Sequence, residues 1–135
     1  MDEQKLVQMA LEARSKAYAP YSNCKVGAAL LAKSGKVYCG CNIENAAYSP
    51  TICAERCAFA KAVSEGERGF EAIAVVGGID EQAESYFPPC GVCRQVMKEF
   101  CRDDFIIILY NKELGVCKYT LSELLPAGFE KDNLH

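Results

Sequence analysis

The sequence predicts an α/β fold, one sheet with helices packed on its faces, and three observations lead there. Segments of helical periodicity alternate with short β-favouring runs in the order α-β-β-α-β-α-β-β-α. The two longer middle helices fall between strands, which places them against a sheet rather than beside it. The chain has 135 residues, half of them hydrophobic, which is the size and apolar content of a single core. One domain spanning residues 1–135 is expected.

The elements follow in order. Over residues 4–17, Leu6, Met9, Ala10, Ala13 and Ala17 recur three or four apart among charged residues, the pattern of an amphipathic helix. Ala19-Pro20-Tyr21-Ser22 ends it. Residues 26–32 and 37–43 are apolar and partly β-branched, and they flank Lys33-Ser34-Gly35-Lys36 as two arms of an antiparallel hairpin. Helical periodicity returns over 52–64 and closes at Gly66. A buried strand over 72–76 leads into a loop rich in Gly, Asp and Pro, and residues 90–100 read as the third long helix. Strands at 105–110 and 116–119 and a short helix at 121–125 complete the chain before Pro126.

Composition excludes several classes of function. The net charge is only -3 and no basic run is present that could follow a phosphate backbone, so nucleic acid is not an expected partner. The N-terminus is acidic and the longest apolar stretches are too short to span a bilayer, so a cytoplasmic protein is expected. Nine cysteines, an odd number without a signal peptide, read as reduced thiols, some of them bound to metal.

Three of those cysteines carry the chemistry. Pro89-Cys90-Gly91-Val92-Cys93 is a C-x-x-C at a helix start, where residues three apart share a face and both sulfurs can meet one ion. Taken alone it reads equally as a metal site, a redox pair or plain structure. Cys53 opens another helix, where unpaired backbone N–H groups and the helix dipole stabilise a thiolate. Three protein ligands leave the fourth vertex of a tetrahedral zinc open to water, the mark of a catalytic site. Glu55, two residues on, does not share a face with Cys53 and is placed to handle a proton of that water; the alternative is an exposed first-turn acid favoured by the dipole. Cys57, four residues after Cys53, is the rival ligand, and His135, the only histidine and the last residue, is set aside.

Cys53-Ala54-Glu55 followed by Pro89-Cys90-x-x-Cys93 resembles the signature of the zinc nucleoside deaminases. Further stretches similar to cytidine deaminases cover nearly the whole chain: Tyr18-Ala19-Pro20-Tyr21-Ser22, Val26-Gly27-Ala28-Ala29, the run 40–46, Arg94-Gln95 and Leu124-Leu125-Pro126. The short homotetrameric class fits best. The resemblance implies a three-layer α-β-α sandwich with one mixed five-stranded sheet. It implies one zinc ion per subunit held by Cys53, Cys90 and Cys93, and hydrolytic deamination of cytidine and 2′-deoxycytidine in pyrimidine salvage. Glu55 would carry the proton of the attacking water first to N3 and then to the departing amine.

The resemblance also assigns binding residues. Asn42 and Glu44 would hold the ribose hydroxyls; from sequence alone they read as well as polar groups capping a turn. The backbone N–H of Ala54 suits the carbonyl oxygen of the base. Phe129 matches an aromatic that reaches a neighbouring subunit's site in the tetramers, where its own residues allow packing within its subunit instead. Relatives usually carry Phe-Pro where this chain has Cys24-Lys25, so stacking area against the base is lost or is supplied by another aromatic. Arg56 is expected either to offset the negative charge of three thiolates or to face solvent. Two rival functions fit the same residues: a deaminase of a cytosine-bearing antibiotic of the blasticidin S type, and a structural-zinc or redox module without enzymatic activity.

Overall fold

The computed structural model describes residues 1–79 and 85–134, so part of the loop after the third strand and His135 lie outside the described residues. Five strands form one sheet: β1 (Lys25–Ala32), β2 (Val37–Cys41), β3 (Phe70–Gly78), β4 (Ile106–Asn111) and β5 (Gly115–Thr120). Their order is β2-β1-β3-β4-β5, with only β3 and β4 parallel, so the sheet is mixed. Among the described residues four α-helices accompany them, α1 (Glu3–Arg14), α2 (Ala54–Ser64), α3 (Gly91–Phe100) and α4 (Leu121–Leu124), and a 3₁₀ turn follows at Lys131–Leu134.

Alternation along the strands makes the layers. On β1, Val26, Ala28 and Leu30 point to one face and join Ala58 and Phe59 of α2, Met97 of α3 and Leu121 of α4. Ala29 points to the other face and packs with Leu6, Val7 and Ala10 of α1 over Ala72, Ala74 and Val76 of β3. The result is the expected three-layer arrangement, with α1 on one side and the remaining helices on the other. Gly27 and Gly40 set how closely the layers approach. A Cβ on Gly27 would lie 2.0 Å from the Ala10 carbonyl oxygen of α1, and one on Gly40 would lie 2.5 Å from the Ala54 carbonyl oxygen at the start of α2. Each glycine thus admits a helix backbone against a strand where any side chain would hold it off.

The topology delivers two distant segments to one place. β2 and β3 both run antiparallel to β1, so their carboxyl ends lie at the same end of the sheet. The chain leaving β2 leads to α2 and the chain leaving β3 leads to α3, so both helix starts gather there, where ligands of open α/β sheets usually bind. Several boundaries differ from expectation. α1 ends at Arg14 rather than at residue 17, and the Arg14 side chain turns back to donate to the carbonyls of Lys25 and Gly78, both at 2.9 Å. β2 stops at Cys41, beyond which Ile43 makes isolated bridges to Tyr18 and Ile52. β3 is longer at both ends than the apolar run 72–76, because Phe70 and Gly78 still pair with β1. Among the described residues no helix is long and apolar enough to cross a membrane.

Candidate metal centre and active site

Cys53 is the N-cap of α2 and Cys90 the N-cap of α3, and neither side chain makes a capping hydrogen bond. Both sulfurs therefore stand at helix N-termini with the positive end of a dipole behind them, which favours thiolate. Cys93, three residues into α3, is fully buried and completes the group. The three Sγ atoms all lie within 4.8 Å of one another, with Cys53–Cys90 at 3.8 Å and Cys90–Cys93 at 3.5 Å. These separations are too long for a disulfide bond, which is ~2.05 Å. They match the edge of a tetrahedron around zinc, which is ~3.8 Å for Zn–S bonds of ~2.3 Å. Soft sulfur donors and this spacing fit a zinc ion.

The electrostatics agree. Arg56 reaches back one turn, and its Nη2 donates to Cys53 Sγ at 3.5 Å. Its Nε is buried without a hydrogen-bond partner, so the guanidinium spends solvation to stay beside the sulfurs. The Cys53 thiol is pushed down to about 5, first by hydrogen bonding from Cys93 and then by Arg56 and Cys90, against a rise from burial. Cys93 is pushed up by the same bond to Cys53 and by burial. The opposite directions have one cause, the close contact between the Cys53 and Cys93 sulfurs.

Glu55 lies in the first turn of α2 and is buried, with only 3 % of its surface exposed, so it is not a solvent-facing acid. Burial is the main cause that raises its carboxyl to about 7, with the Cys53 charge adding to it. Hydrogen bonds from its own backbone N–H and from Cys93 work in the opposite direction and hold the carboxyl against the thiol cluster. A carboxyl that takes and returns protons near neutral pH is what general acid–base chemistry requires. Among the described residues Cys57 does not join the cluster; it lines a separate 220 Å³ cleft with Met9, Lys16, Cys39, Cys41 and Lys61.

The other expected residues are distributed as follows. Asn42 follows β2, and its amide accepts from Val26 N–H at 2.8 Å and donates to the Cys24 carbonyl at 2.8 Å, which fixes the start of β1 and leaves one lone pair and one hydrogen. The Glu44 carboxylate accepts from the backbone N–H groups of Tyr21 and Ser22 and from the Ser22 hydroxyl, which lowers its pKa, the Ser22 hydroxyl contributing most. It borders a 360 Å³ cleft with Tyr21, Tyr48 and Thr51. Ala54 is fully buried in the first turn of α2, where backbone N–H groups have no intrahelical partner. Phe129 stays 57 % exposed.

Three supports of the site lie in stretches that carry the resemblance, which gave them no role of their own. Gly40 seats α2, and an isolated glycine inside a strand pattern was the available signal. Arg94 donates to the carbonyls of Pro89 at 2.7 Å and Leu124 at 2.8 Å, pinning the approach to Cys90 against the end of α4. Gln95 donates to the Phe129 carbonyl at 2.8 Å and anchors the C-terminal segment to α3. The motif marks Arg94 and Gln95, but nothing local in it names Leu124 or Phe129 as their partners.

Known proteins agree with this geometry. The family profile described as the cytidine and deoxycytidylate deaminase zinc-binding region matches residues 1–109. The chain is 50 % identical over 134 residues to a cytidine deaminase of Sporosarcina psychrophila, covering 99 % of this chain and 96 % of that protein. It is 49 % identical to one from Halalkalibacterium halodurans, covering 100 % of this chain and 99 % of the relative. Among solved structures, cytidine deaminase from Burkholderia pseudomallei superposes with a TM-score of 0.87 at 46 % identity, covering 96 % of this chain and 100 % of that one.

Proposed function

The chain belongs to the cytidine and deoxycytidylate deaminase family, and from that premise we propose that it hydrolyses the exocyclic amine of free cytidine and 2′-deoxycytidine, releasing ammonia and the uracil nucleoside. The observation that carries the reading is three sulfurs from two helix starts grouped at tetrahedral spacing beside one buried carboxyl. Cys53, Cys90 and Cys93 would hold zinc, which when bound supplies the Lewis acidity that makes water a nucleophile near neutral pH.

The remaining work falls to the chain itself. Glu55 accepts a proton from the attacking water, delivers it to N3 of the pyrimidine, and then assists departure of the amine from C4. Its raised carboxyl supports both directions of transfer near pH 7. The Ala54 N–H is proposed to hold the base carbonyl, and Asn42 and Glu44 the ribose hydroxyls. Arg56 offsets part of the thiolate charge, a role supported by its contact with Cys53. The exposed ring of Phe129, on a segment tied to α3, supports a further assignment: it completes the site of a neighbouring subunit in a homotetramer. Nine free cysteines fit a reducing compartment and therefore the cytoplasm.

The test is zinc content measured together with ammonia release from cytidine on the same preparation. One zinc per chain with turnover of cytidine, and much weaker turnover of blasticidin S, is expected. Full zinc loading without ammonia release would favour a structural-zinc module instead.

A further inference from the structure

This inference rests on the proposed nucleoside substrate and asks what forms the wall of the base site in this chain. A pyrimidine with C4 beside Glu55 and its ribose near Asn42 and Glu44 must lie between the thiol cluster and the start of β1. The start of β1 is held in place by those same polar residues: Asn42 bonds the Cys24 carbonyl and the Val26 N–H, and the Ser22 hydroxyl bridges Glu44 and the Cys24 N–H. The side chain at that place is Cys24, too small to cover the face of a base, and its thiol lies within hydrogen-bond reach of the Gly78 backbone.

An aromatic ring arrives at the same spot from another segment. Gly77 pairs with Val26 across β3 and β1, and a Cβ built on Gly77 would lie 2.8 Å from Phe87 Cγ, 3.0 Å from Phe87 Cδ1 and 3.0 Å from Val26 Cγ2. The Phe87 ring therefore rests on bare backbone at Gly77, next to Val26 and one residue from the Cys24 contact at Gly78. Phe87 is partly buried and packs against the core cluster that contains Val26. Pro88 and Pro89 join it to the metal-binding Cys90, and Pro89 is fully buried, which limits the freedom of that short link.

We propose that Phe87, seated on Gly77, is the aromatic wall on which the pyrimidine base packs in this protein, supplying from the segment before Cys90 the stacking surface that Cys24 does not. Base–aromatic stacking is sequence-tolerant but needs a π face, so a leucine at the same place should fill the space without replacing the interaction.

The chain contains no tryptophan, which gives a direct test. In zinc-loaded Phe87→Trp the single indole should change its emission saturably on titration with uridine. Phe87→Leu should raise KM for cytidine on the order of tenfold while kcat stays within about twofold, and Phe87→Trp should keep KM near wild type. Gly77→Ala, which displaces the ring, should raise KM in the same sense. A purely structural role would instead lower melting temperature and kcat together and leave the indole silent. An active wild type with unchanged KM in Phe87→Leu and no uridine response in Phe87→Trp overturns this inference alone. A zinc-loaded wild type that releases no ammonia from cytidine overturns the proposed function and this inference with it.

Discussion

Helices α1 and α4 begin with side chains that cap them, whereas α2 and α3 begin with thiols that do not. Asp2 accepts from Lys5 N–H at 3.1 Å at the head of α1, and Thr120 and Glu123 form a reciprocal capping box on α4. At the same positions of α2 and α3, Cys53 and Cys90 leave the first-turn N–H groups to other partners. The first pair shows how this sequence stabilises a helix that only packs. In the second pair local stability is given up and electropositive backbone is left facing a cluster of sulfurs and a buried acid. The two kinds of helix start should therefore respond differently to substitution.

The largest difference is expected at Glu55. Glu55→Gln should keep the fold and the zinc and lose at least ~10²- to 10⁴-fold in kcat, checked by ammonia release and metal analysis on one sample. Near-normal turnover would remove the acid from the mechanism and erase the contrast between the helix starts.

Gly27 and Gly40 allow the same lesion on each side of the sheet. Gly27→Ala and Gly40→Ala should each destabilise by ~1–3 kcal/mol, because a methyl group meets helix backbone at 2.0 Å and 2.5 Å. Only Gly40→Ala should also weaken zinc retention against a chelator, since it displaces the start of α2. Equal zinc loss in both would mean that the site senses global stability rather than the position of one helix.

Acidity sharpens the contrast further. The folded carboxyl of Glu55 is raised to about 7 from an ordinary value of 4.5, so the folded metal-free protein holds that proton more tightly than the unfolded chain. Its stabilising contribution is complete below pH 4.5 and is lost as pH rises through about 7, a loss on the order of 3 kcal/mol. Metal-free Glu55→Gln should therefore melt several degrees above metal-free wild type at pH 8 and gain nothing at pH 4. A smaller shift is expected for Arg56→Ala: the acidic limb of its pH–rate profile should move up by about one unit, the effect of one nearby charge in a water-like dielectric. The smallest is Asp2→Ala, which should reduce stability by ~1 kcal/mol with unchanged kcat and KM.

Much of this was legible in the sequence, because the relevant signals are local. The strands alternate or run apolar, and Cys53 and Cys90 stand where helices begin. The burial of Glu55 was not legible: its position in a first turn fits a solvated acid equally well until the fold brings Cys93 of α3 against it. Phe87 was likewise silent, since what gives it a role is the bare backbone of Gly77, ten residues earlier on another element. The ends of α1 and β2 shifted because tertiary partners decided them, the Arg14 side chain reaching Lys25 and Gly78 in one case and the Ile43 bridges in the other.

One ion held by three sulfurs with one position left to solvent has its own scattering shell, and zinc K-edge absorption fine structure of the protein in solution reads that count directly. Three sulfur scatterers at ~2.3 Å with one lighter oxygen neighbour at ~2.0 Å is the predicted shell. A fourth sulfur in place of the oxygen, with Cys57 the residue to suspect, would contradict the account.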